Sequence, residues 1–135
     1  MRLEIASFES PEEVREFEKG RFELISAAGL TVGRAIYEPG WVWSEHVGEA
    51  LGKESCDVEH LVLVVSGRCA IAMDDGTEVV VGPGDLCAVP PGHDSWVVGD
   101  EPYVSLHILG ASVYARGGVM KLGGLGSGGD GKPRS

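Results

Sequence analysis

The chain has 135 residues, 43% of them hydrophobic and 24% charged, the make-up of one ordinary globular domain. Only 11 Lys and Arg stand against 21 Asp and Glu, giving a formal net charge of −10. That balance argues against binding through a nucleic-acid phosphate backbone, disfavours an anionic membrane surface, and fits a neutral or cationic small partner or mere solubility. The opening Met1-Arg2-Leu3-Glu4-Ile5 carries no apolar leader core, and no run approaches the ~18 apolar residues of a membrane helix, so a cytoplasmic protein is expected.

In chain order, Ser10-Pro11-Glu12-Glu13 carries the residues of a helix start, with Ser10 as cap, Pro11 in the first turn and Glu13 closing a capping box. Val14 and Phe17 then make a short apolar stripe that Gly20 ends, which predicts one short N-terminal helix. From Arg21 the period becomes that of strands. Phe22 to Ala27 and Leu30 to Tyr37 read as strands around Ala28-Gly29, and Pro39-Gly40 is a corner. Trp41 to Val47 alternates, placing Trp41, Trp43 and Glu45 on one face and Val42, Ser44 and His46 on the other.

The polar stretch Gly48 to Asp57 reads as a loop, of the length that often serves as a lid or binding loop. Val58 to Val65 is strongly β-branched, and Asp74-Asp75-Gly76 between Arg68 to Met73 and Thr77 to Val81 is a hairpin signal. Gly82-Pro83-Gly84 and Pro90-Pro91-Gly92 bracket the short strand Leu86 to Val89, and His93 follows the second corner at once. Ser95 to Val98 and Tyr103 to Leu109 complete the strands. Short strands between Gly/Pro turns predict an all-β sandwich or barrel. The domain is expected over residues 1–115, followed by a flexible tail at 116–135, where eight of twenty residues are Gly. Val119, Met120 and Leu122 could dock there as a short edge piece.

Several of these residues carry a family spacing. Gly40 precedes His46 across five residues, His60 precedes Gly67 across six, and Gly84 leads through five residues to Pro90-Pro91-Gly92. Over Pro39 to Leu109 this resembles the two motifs of the cupin superfamily. The resemblance implies a double-stranded β-helix, or jelly-roll barrel, often dimeric, whose interior holds a divalent metal in many members. His46 matches the first motif histidine. Gly48 stands where the second would be, His60 where the family has glutamate, Ser95 at the second-motif histidine, and Gly99 at the terminal asparagine.

Strand alternation puts His60 on one face with Val58, Val62 and Val64, and His93 with Ser95 and Val97. His46, His60 and His93 are therefore the expected metal ligands, with Zn, Ni, Fe, Mn or Cu as the divalent transition metal, because imidazole suits these better than Mg²⁺ or Ca²⁺. His107, Cys56 and Ser95 are candidate pocket residues, Cys56 as a possible soft ligand from the 48–57 loop. Cys69 and Cys87 lie in apolar strands and read as inert buried thiols.

Trp41 and Trp43, facing opposite to His46, would lie outside the barrel, and covering them calls for the N-terminal segment or a second subunit, hence a homodimer. The expected function is binding a metal through histidines and binding or transforming a small molecule. A metal-free, non-enzymatic sensor module stays open as the alternative, as does an interior filled by its own side chains.

Overall fold

The structure, a computed structural model, describes residues 2–109, 111 and 119–122. Among the described residues ten strands form two antiparallel sheets. They are β1 (Glu13–Phe17), β2 (Gly20–Ala27), β3 (Leu30–Tyr37), β4 (His60–Ser66), β5 (Arg68–Met73), β6 (Glu78–Val81), β7 (Leu86–Val89), β8 (His93–Val98), β9 (Tyr103–Leu109) and β10 (Val119–Leu122). The larger sheet runs β10-β1-β2-β3-β9-β4-β7 and the smaller β6-β5-β8. Between β3 and β4 a π-helical turn (Ser44–Gly48) leads into the short α1 (Glu49–Leu51). No helix among the described residues is long and apolar enough to cross a membrane.

Turn chemistry sets the joints. Gly76 at φ +98 closes the β5–β6 hairpin, and Gly92 at φ +92 turns the chain into β8, both in the left-handed region that favours glycine. One apolar core joins the sheets, with Phe22, Ala35 and Tyr37 from the larger meeting Cys69, Ile71 and Val97 from the smaller. Burying a ring such as that of Phe22 contributes about 2–3 kcal/mol.

Two sequence expectations fail here, each for a non-local reason. The N-terminal helix is instead β1, paired with β2 on one side and β10 on the other. Glu13, Val14 and Arg15 are all buried there, and Arg15 Nε donates to Glu13 Oε2 at 2.7 Å. The local capping signal loses to two ladders of inter-strand hydrogen bonds and a buried ion pair.

The alternating strand over Trp41 to Val47 does not form either. Only Val42 makes a bridge, to Trp96, before the chain coils into the π-helical turn. The Asp94 carboxylate accepts from both the Ser44 N–H at 2.9 Å and the Ser44 hydroxyl at 2.8 Å, which holds the first residue of the turn against β8. Gly48 gives Trp43 its place, because a Cβ there would lie 2.5 Å from Trp43 Cζ3. Trp41 and Trp43 are consequently buried at 1% and 2% exposure, so the case for a dimer from exposed indoles falls.

Of the glycine-rich stretch 116–135, the described part is β10, whose Val119–Leu122 pairs with β1 at the sheet edge. The rest of that stretch, and the domain boundary at residue 115, lie outside the described residues.

Candidate metal centre

Four side chains meet between the sheets at one end of the core. β4 and β9 are neighbours in the larger sheet, and their inward positions carry His60 and His107. Gly33 of β3 sits opposite His107, and the space its missing side chain leaves is filled by the ring of Phe22. That ring stands edge-on to His107 at 4.9 Å between centroids, a favourable aromatic geometry that props the imidazole from behind. His93 comes from the smaller sheet as the first residue of β8. Cys56 arrives on the loop after α1, pinned to β8 by the Cys56 N–H donating to His93 O at 2.6 Å and the Gly92 N–H to Cys56 O at 2.7 Å.

The His60 ring lies 5.2 Å from that of His93 and 5.2 Å from that of His107, edge-on to both. Cys56 Sγ is 3.4 Å from His60 Nε2. One ligand atom from each of Cys56, His60 and His93 falls within 4.8 Å of the other two, and all three residues are buried. A tetrahedral zinc site with Zn–S of about 2.3 Å and Zn–N of about 2.0 Å has an S···N edge of roughly 3.5 Å. The observed sulfur–nitrogen separation fits that edge.

Protonation also suits ligation. His93 Nδ1–H donates to Pro90 O at 2.7 Å, which leaves the Nε2 lone pair for a partner. Burial, reinforced by the neighbouring His107 and His93, holds His60 well below the usual histidine range, and burial brings His107 down to about 3. Burial lowers His93 as well, against the opposing pull of its bond to Pro90. The three imidazoles are therefore neutral at pH 7, the form that binds metals. Burial pushes the Cys56 thiol up to about 12, so it is neutral until a metal displaces its proton.

Beside these groups is a small cavity of ≈40 Å³. That holds a few waters or one very small ligand.

No family model matches the sequence, and no curated protein does. Solved structures do match in shape. The chain superposes over 78% of its length on 78% of the polyketide cyclase RemF from Streptomyces resistomycificus, with a TM-score of 0.57 and 16% identity. It covers 72% of a cupin-2 domain from Rhodospirillum rubrum with 77% of its own length, at a TM-score of 0.56 and 16% identity. This is a cupin fold. A protein of unknown function from Rhizobium leguminosarum is alike over 81% of this chain and 97% of its own, at a TM-score of 0.56 and 18% identity.

The cupin fold places the sequence-selected residues as follows. His60, His93, His107 and Ser95 line the cavity, and Cys56 stands behind His60. His46 lies apart from them. It sits half-buried on the π-helical turn, where its Nδ1 accepts the Val42 N–H at 2.9 Å, and it belongs neither to the donor group nor to the cavity wall. The inward face assigned to it depended on a strand that does not form.

Asp94, next to His93, caps Ser44.

Sequence reasoning missed most of the other wall residues, among them two cysteines and a tryptophan. Cys69 and Cys87 point into the cavity from opposite sheets, and Trp43 closes one side of it. For the cysteines the signal was available, since strand alternation puts Cys69 on one face with Ile71 and Cys87 on one face with Val89. For Trp43 it was not, because its direction follows from the π-helical turn.

Proposed function

We propose that this cupin-fold domain is a closed jelly-roll barrel that holds a divalent transition metal on Cys56, His60 and His93 and takes a small molecule in the cavity beside it. The observation that carries the reading is the convergence of those three buried donors within 4.8 Å, with the Nε2 of His93 left bare by the bond from its Nδ1 to Pro90. Three donors leave an open position, the pattern of catalytic rather than structural sites. A bound metal would supply Lewis acidity there. His107, its ring 5.2 Å from that of His60, lines the cavity and would hold the bound molecule rather than the metal.

Support for a small-molecule ligand comes from the cavity and from the polyketide cyclase RemF, which shares the fold. A homodimer remains part of the proposal on new grounds. The outward residues of β4 and β9 (Leu61, Leu63, Val65, Val104, Leu106 and Ile108) are all apolar, a pattern suited to a sheet covered on both faces. Three free cysteines fit a reducing compartment such as the cytoplasm.

One observation favours a second reading, a metal-free binding or sensor module. At 3.4 Å the Cys56 thiol can donate directly to His60 Nε2, which pairs the thiol with that nitrogen without an ion. No carboxylate among the described residues lines the cavity to serve as an acid–base partner.

Elemental analysis of protein purified without chelating resin separates the two. The metal reading expects about one equivalent of a transition metal, lost in His60→Ala. Protein that is metal-free and takes up neither Zn²⁺ nor Co²⁺ on dialysis refutes it. The binding module then stands if small-molecule screening raises the melting temperature.

A further inference from the structure

We infer that the cavity selects small monoanions with an apolar body, such as a short monocarboxylate. The inference rests on the metal-site reading above and names the ligand class of that site. Charge balance is its first support. A divalent ion on one thiolate and two neutral imidazoles carries a net single positive charge. No Lys, Arg, Asp or Glu among the described residues lines the cavity, so nothing in its wall offsets that charge.

An unbalanced charge in an apolar interior is costly, and one monovalent anion removes it. A neutral ligand leaves the positive charge in place. A dianion such as phosphate or a dicarboxylate replaces it with an unpaired negative one, with no cation in the wall to meet it.

The wall is the second support. Val62, Ile71, Val81 and Val89 present hydrocarbon from both sheets, while Ser95 and Tyr103 add hydroxyl groups. A ligand with many hydroxyls, a sugar for instance, would bury more polar groups than this wall can pair. Size is the third. With a cavity of ≈40 Å³, the interior admits a few heavy atoms. One anionic head and a short hydrocarbon tail satisfy all three conditions.

The test uses the full chain loaded with Co²⁺ and titrated separately with propionate, propanamide, succinate and inorganic phosphate. Binding is read from the visible bands of Co²⁺ and by calorimetry. Propionate should perturb the bands and bind at least about tenfold more tightly than the other three. Equal or tighter binding of propanamide, succinate or phosphate overturns the monoanion inference and leaves the metal site standing. Failure of the chain to take up Co²⁺ overturns the metal reading and this inference with it.

Discussion

Acidifying the metal-free protein from about pH 7.5 to about pH 5 should cost it stability through its interior histidines, and His107 gives the clearest case. In the folded chain burial holds this imidazole at about 3, whereas in the unfolded chain it returns to the ordinary 6.5. The folded value is the lower one, so stability is fully present above the unfolded value and is lost as pH falls toward the folded one. At about pH 5 the unfolded state is stabilised by protonation over roughly 1.5 pH units, and at about 1.4 kcal/mol per unit the loss is about 2 kcal/mol.

His60 and His93, also lowered by burial, push in the same direction. Against a total of about 5–15 kcal/mol for a domain, this is a large fraction. Urea unfolding of chelator-treated protein at both pH values measures it, with His107→Leu as the control. The variant should lose about 2 kcal/mol less than the parent over the same pH interval. Equal losses in the two proteins would refute the claim that His107 is buried neutral.

Other expectations are as specific. Zn²⁺ binding at about pH 7 should release about one proton per metal, because the Cys56 thiol is protonated beforehand and the imidazoles are not; calorimetry in buffers of different ionisation enthalpy reads it, and a value near zero would remove Cys56 from the ligand set. Gly33→Ala should destabilise by about 1–3 kcal/mol, since a Cβ there would lie 2.6 Å from Phe22 Cε2, and an unchanged thermal midpoint would show that the ring does not fill that space. Light scattering should give the mass of a dimer at micromolar concentration, and a Leu63→Lys, Leu106→Lys double variant that of a monomer. A parent that is already monomeric would leave the apolar outer sheet face without this explanation.

The joints of this fold are written locally, which is why they could be read. Asp74-Asp75-Gly76, Gly82 to Gly84 and Pro90 to Gly92 fix their own backbone, and the strands between them follow with their faces alternating. The N-terminal segment shows the opposite case. Ser10-Pro11-Glu12-Glu13 has the local chemistry of a helix start, but the energy that decides its state lies in β2 and in β10, the latter about a hundred residues away. A window of a dozen residues contains none of that information.

The site divides along the same line. His60 and His93 each sit at the head of a strand whose alternation could be read, so their direction was legible. The segment between Trp41 and Cys56 was not, because its path is set by β8. The Trp41 carbonyl accepts from Val97, Ser44 is held by Asp94, and Cys56 is bridged to His93. One misread strand therefore moved three side chains together, sending the two tryptophans out and His46 in.

The same contacts also explain how a loop residue can complete the donor set. Because Cys56 exchanges backbone hydrogen bonds with both Gly92 and His93, its sulfur is fixed relative to the His93 ring by main-chain geometry. Loop sites are commonly less well held than sites on strands, and this one borrows its order from β8. The corner at Pro90 to Gly92 then has two effects. It aims His93 by supplying the carbonyl for Nδ1, and it holds Cys56 in place through the amide of Gly92.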